Sequence, residues 1–168
     1  MARRSNHYEW ALERELLRRE VPLVPVRETR MASAVGRTFK NFDFVVYRPG
    51  SVHLLLEVKG RKVARAGTVN CWVTKEDLAN LDGWREAFGA GFEPVFAFVF
   101  ALPSDEGAHF VVDDVAYEAW LVTLHDMQAL SHERSPSWGT MTLGAADFKR
   151  VALPLLDEVS AAPAQTVR

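Results

Sequence analysis

The chain holds one cysteine, Cys71, in 168 residues. That excludes an internal disulfide and any zinc site built from several cysteines, so a metal here would rest on oxygen donors. Cys71 has no matched histidine and acid, which argues against a thiol nucleophile. His7, His53, His109, His125 and His132 show no paired metal spacing. No apolar run approaches the roughly 20 residues of a membrane span, and the start, Met1 to Tyr8, leads into a charged helix and not an apolar signal core. Neither an internal repeat nor a low-complexity tract interrupts the chain. These absences lead to the expectation of a cytoplasmic protein without membrane association.

What is present suits one globular domain. Hydrophobic residues make up 48% and charged residues 25% of the chain, enough to bury a sizeable core. We expect a single domain over residues 1–160 and a flexible tail over 161–168. The net charge of -2 conceals an asymmetry: residues 1–65 hold 14 Lys and Arg against 7 Asp and Glu, and the remainder holds 6 against 15. A basic half offers a face to a phosphate-rich partner, although the halves could equally neutralise each other across the folded surface.

Spacing predicts the elements. Glu9, Leu12, Glu13, Leu16 and Glu20 recur at helical intervals behind a capping Asn6, with Leu12, Leu16 and Leu17 as the buried stripe. Residues 21–26 carry two prolines and suit an edge strand. Residues 31–38 read as a loop. Two apolar runs, 40–47 and 52–60, form a hairpin about Pro49-Gly50. Residues 61–72 read as a long connection. Thr74 caps a helix over 75–88, with Asp77 near the capping-box position and glycines 89 and 91 at its end. The continuous apolar run 94–102 predicts a strand covered on both faces. Beyond it the expectation is a short strand over 109–112, a helix over 115–131 with Trp120, Leu124 and Met127 on one side, a strand over 138–143 and a helix over 145–159 broken at Pro154.

The hairpin carries ionisable groups where a core would exclude them. Asp43 sits in the first run, and Glu57 and Lys59 share a face of the second. Burying unpaired charge costs several kcal/mol, so such a set suggests a compensating cation. For Asp43 to face Glu57, residue 47 must face 53 and the loop 48–52 must hold an odd number of residues; a four-residue turn would send the two carboxylates to opposite faces. In the odd register, two carboxylates could hold a hard cation such as Mg²⁺, and Lys59 could orient or deprotonate a water or neutralise developing charge.

An Asp in one strand and Glu-Val-Lys in the next, behind a helix bearing Glu, resembles the PD-(D/E)XK nuclease superfamily, and most nearly its archaeal Holliday-junction resolvase branch. The resemblance covers roughly residues 6–102. His7-Tyr8-Glu9-Trp10 and Asn70-Cys71-Trp72-Val73-Thr74 are similar to segments of bacterial members. It implies a restriction-endonuclease-like α/β fold: an α-β-β-β-α-β core, a mixed central sheet flanked by helices, and extra C-terminal elements. It further implies Mg²⁺ (or Mn²⁺), DNA as partner, metal ligands at Asp43, Glu57 and Glu9 with Glu13 as the alternative, and a catalytic lysine at Lys59. Resolvases of this type work as dimers, which allows a homodimer here. Phe42 stands where the family motif has proline. Against the nuclease stands a module that uses the same fold to bind nucleic acid or a protein without cleaving. Glu57 and Lys59 would then be an ordinary ion pair, Asp43 a cap, and Glu9 and Glu13 solvated helix residues. Trp72 and Trp84 could stack on bases, or belong to the core.

Overall fold

The computed structural model describes residues 6–26, 31–34, 36–63 and 71–160. The expected tail, 161–168, lies outside them, as do residues 64–70 of the expected connection. Helix α1 (His7–Arg18) starts at Asn6, whose side chain accepts from the Tyr8 N–H. Strands β1 (Leu23–Pro25), β2 (Met31–Ala34), β3 (Arg37–Lys40), β4 (Phe44–Val46), β5 (His53–Lys62) and β6 (Trp72–Thr74) precede helix α2 (Lys75–Phe88). Next come β7 (Phe92–Leu102), β8 (Phe110–Val112), β9 (Val115–Thr123), α3 (Leu124–Leu130), β10 (His132–Ser135), β11 (Thr140–Thr142), α4 (Ala145–Val151), β12 (Leu153–Pro154) and α5 (Leu155–Ser160). No described helix is long and apolar enough to cross a membrane.

The main sheet runs β1-β4-β5-β7-β9-β12, with β8 beside β9. It is mixed: β5 and β7 are parallel, and the other pairs along it are antiparallel. Along β7, Val95, Ala97 and Val99 face α1 and α5, whereas Phe96, Phe98 and Phe100 face α2 and α4. Both faces are therefore covered, which explains an uninterrupted apolar run. The same alternation splits β5. Leu54, Leu56 and Val58 join the α1 side and Leu55 the α2 side, so Glu57 and Lys59 lie under α2.

Three expectations need correction. Residues 31–38 are not a loop: β2 and β3 form a hairpin of their own, paired Met31↔Lys40 through Ala34↔Arg37. Its pairing comes from the backbone, and the buried Phe39, whose ring lies 5.5 Å from that of Trp84, ties it to α2. Residues 115–123 are strand and not helix; Tyr117, Ala119 and Leu121 alternate with Trp120 and Val122 between the two faces. With apolar groups on both sides, a period of two is masked by the chance helical spacing of Trp120, Leu124 and Met127. The helix starts only at Leu124, where the Thr123 hydroxyl accepts from the Asp126 N–H at 3.0 Å. Leu17, expected in the buried stripe, is 49% exposed, and its place is taken by Ala11 and Glu15. The extra C-terminal elements are present as expected, and β8, β9 and β12 among them extend the main sheet. The break at Pro154 stands as β12 between α4 and α5.

Glu15 is buried on α1, and its carboxylate accepts from Arg18 at 2.7 and 2.8 Å and from Arg19 at 2.6 Å. Burial pushes its pKa up, but the hydrogen bonds and charges of the two arginines outweigh that and hold it below the usual carboxylate range. A carboxylate whose pKa falls on folding contributes stability that is full above its unfolded value and is lost as pH falls through the folded one. Urea unfolding of wild type and Glu15→Gln at pH 7 and pH 3 should show a deficit in the variant at pH 7 that shrinks at pH 3. A deficit independent of pH would contradict this. A second expectation concerns the seat of α1 on β5. A Cβ at Gly60 would lie 2.1 to 2.7 Å from side-chain atoms of Tyr8, so this face of β5 must be bare. Gly60→Ala should cost about 1–3 kcal/mol of unfolding free energy, the usual penalty of overpacking.

Candidate functional site

The β4–β5 register decides which side chains meet. The pairs are Phe44↔Leu56, Val45↔Leu55 and Val46↔Leu54, so its continuation sets Asp43 across from Glu57 and Tyr47 across from His53. This is the odd register. Its loop turns at Pro49-Gly50, where the Ser51 N–H donates to the Arg48 carbonyl at 3.1 Å and Gly50 takes φ +74°, a left-handed value that favours glycine. The added residue is held by Arg48, whose N–H donates to His53 Nδ1 at 3.1 Å and whose Nε donates to the Val52 carbonyl at 2.7 Å.

β5 outruns β4 and leaves an N–H with no strand beside it. Asp43 fills that place: its Oδ2 accepts from the Val58 N–H at 2.7 Å. Its own N–H donates to the Leu56 carbonyl at 2.9 Å, and its carbonyl accepts from the Val26 N–H at 2.8 Å. Asp43 is wholly buried and joins the end of β4 to both β5 and the segment after β1.

One turn of α2 lies against Glu57 and Lys59. The Lys59 ammonium donates to Glu57 Oε1 at 2.9 Å and lies 3.0 Å from Asp77 Oδ1, while Lys40 Nζ is 4.0 Å from the same Glu57 oxygen. Asp77 is held by its second oxygen, Oδ2, which accepts from the Thr74 N–H at 2.9 Å, and the Thr74 hydroxyl accepts from the Asp77 N–H. The capping box thus aims a carboxylate at Lys59. Burial pushes the Lys59 pKa down, but the charges of Glu57 and Asp77 outweigh it, so the value is raised and the amine is charged at neutral pH. Burial likewise pushes Asp77 up, and Lys59 with the Thr74 backbone brings it below the usual range. For Glu57, burial wins over Lys59, and its pKa is raised. Lys40, Asn41, Phe42, Glu57, Asp77, Asn80, Leu81 and Trp84 line a cavity of about 10 Å³, at the lower limit for one water molecule.

Glu9 is buried in the first turn of α1 and accepts from Asn6 Nδ2 at 2.7 Å. Its neighbour Tyr8 packs on Gly60, next to Lys59. Glu13, one turn on, is half-buried. Among the described residues, no three His, Cys, Asp or Glu side chains are grouped as a metal ion would need. Sequence reasoning found Asp77 only as a cap. The spacing from Thr74 reveals that role, but its contact with Lys59 depends on where α2 packs, which no local pattern encodes. Trp84 is core, whereas Trp72 is half-buried. Cys71 is buried, and burial raises its pKa, so the thiol stays protonated.

Neither a protein-family model nor a curated protein matches the chain. A solved structure does: Hjc, a Holliday junction resolvase from the archaeal hyperthermophile Archaeoglobus fulgidus, with a TM-score of 0.56 at 17% identity. The match covers 92% of this chain and 98% of the resolvase, and so takes in most of the C-terminal third, beyond the stretch in which the sequence resembles the family. With its mixed sheet flanked by helices on both faces, the chain shares the restriction-endonuclease-like fold of that archaeal resolvase.

Proposed function

We propose that the chain is a Mg²⁺- or Mn²⁺-dependent nuclease that hydrolyses the phosphodiester bonds of DNA. Asp43 and Glu57 are the proposed metal ligands, completed by Glu9 or, in its place, Glu13, with Lys59 beside the attacking water. The observation that carries this reading is the charged Lys59 ammonium held between Glu57 and Asp77 on a resolvase-like fold.

In chemical type the donors suit a hard divalent cation, since every proposed ligand atom is a carboxylate oxygen, while the described side chains do not stand grouped around one point. Burial, with the Asp77 charge, keeps the Glu57 pKa raised despite Lys59 and Lys40. A bound divalent ion supplies a water of lowered pKa and neutralises charge on a phosphate oxygen. The chain's own residues do the rest. Asp43, fixed by the Val58 amide, sets the distance between the two strands at the site. Lys59 carries a proton at neutral pH, so it acts as a cation that orients the water and offsets charge on the phosphate, not as a base. Asp77 keeps that ammonium in place.

A second reading, a nuclease-fold module that binds nucleic acid or a protein without cleaving, is favoured by the cavity of about 10 Å³ and by the engagement of Glu57 with Lys59. One experiment separates the two. Duplex and branched DNA are incubated with the protein in Mg²⁺, Mn²⁺ or EDTA, and metal binding is followed by calorimetry. Cleavage that needs the metal, and that falls about 100-fold or more in Asp43→Asn and Lys59→Gln while circular dichroism is unchanged, supports the nuclease. Asp43→Asn is chosen because it keeps an acceptor for Val58. Cleavage that survives either change overturns the site. Absence of both cleavage and Mn²⁺ binding in wild type supports the second reading.

A further inference from the structure

The small sheet β10-β11-β6 turns one face to the core through Val73 and Met141. On the opposite face Trp72, Thr142 and His132 form a row across the three strands, the first two half-buried and His132 exposed. Two guanidinium groups meet the indole of Trp72, with Arg61 4.1 Å and Arg134 5.3 Å from its ring centre. They differ in what else they touch. Arg61 is fixed, donating to the Gly60 carbonyl at 2.8 Å and the Trp72 carbonyl at 2.7 Å. Arg134 is exposed and stands where the β10–β11 register shifts between Glu133 and Ser135, and its guanidinium has no hydrogen bond or ion pair to a described residue. The adjacent acid does not neutralise it, because Glu133 pairs with Lys75 at 2.5 Å.

This patch is continuous with the site. Arg61 follows Glu57 and Lys59 on the same face of β5, and Trp72 lies two residues before Thr74, which anchors Asp77 and through it Lys59. We propose that Arg134, stacked on Trp72 beside Arg61, is a phosphate clamp for a nucleic-acid backbone that passes Lys59. A guanidinium laid on an aromatic face keeps its N–H edge free for two phosphate oxygens and loses less side-chain freedom on binding. The positive charge without a neutralising acid, in line with the site, selects a phosphodiester chain as occupant. The inference rests on the nucleic-acid part of the proposed function and not on cleavage.

Fluorescence anisotropy tests it, with labelled single-stranded and duplex oligonucleotides in Ca²⁺ over a range of salt. Arg134→Ala should weaken binding about 5- to 10-fold and reduce the slope of log affinity against log salt by about one phosphate contact. Arg150→Ala, an exposed arginine on α4 paired with Asp147, should leave both unchanged. The single-strand and duplex arms show which form the clamp takes. The proposal is overturned if Arg134→Ala matches wild type in affinity and salt slope, or if wild type binds neither oligonucleotide at low salt. It is also overturned if polyglutamate of equal charge competes as well as the oligonucleotide, since the patch would then fit an acidic protein. Metal-dependent cleavage with unaltered binding in Arg134→Ala removes the clamp alone. Weakened binding in that variant without any cleavage leaves the clamp in place on a binding module.

Discussion

A lysine ammonium enclosed by two carboxylates ties together the parts of this molecule that bear on function. Lys59 is largely withdrawn from water, and an unpaired charge there would cost several kcal/mol. Glu57, two residues away on the same face of β5, supplies one partner, and Asp77 on α2 the other. The sheet and the helix are therefore joined by charge as well as by the apolar contacts of Leu55, Leu81 and Trp84. Both oxygens of Asp77 are used, one on Lys59 and one on the Thr74 amide, so the start of α2 and the head of Lys59 are positioned by one side chain.

Asp43 performs a parallel task on the other flank. Because β4 spans only Phe44–Val46 while β5 runs to Lys62, the β5 backbone beyond Leu56 needs a new partner, and the Asp43 carboxylate provides it. The odd loop makes this geometry available. Had the turn held one residue fewer, Asp43 would have faced away from Glu57. The edge-to-face contact of Tyr47 with His53 and the hydrogen bonds of Arg48 hold the longer loop in that register.

How far the sequence revealed this depended on whether the controlling signal was local. Caps at Asn6, Thr74 and Thr123 act over two or three residues, and the first two marked their helices correctly. Pro49-Gly50 marked the turn for the same reason. The β2–β3 hairpin was hidden because its strands pair through backbone and carry little apolar alternation. In β9, two covered faces erased the alternation that marks a strand. At the site, Asp43, Glu57 and Lys59 were visible as charges in apolar runs, whereas the contact of Asp77 with Lys59 and that of Arg134 with Trp72 join residues far apart in the chain.

Lys59 and Asp77 act as a unit across the seam between β5 and α2. A double-mutant cycle measures this directly, using Lys59→Met, Asp77→Asn and the combined variant in urea unfolding at neutral pH. If each side chain stabilises the other, the two single losses should fail to add, leaving a coupling of about 1 kcal/mol or more. Losses that sum to within about 0.5 kcal/mol would mean that the two groups act independently and that Asp77 does not hold Lys59 in place.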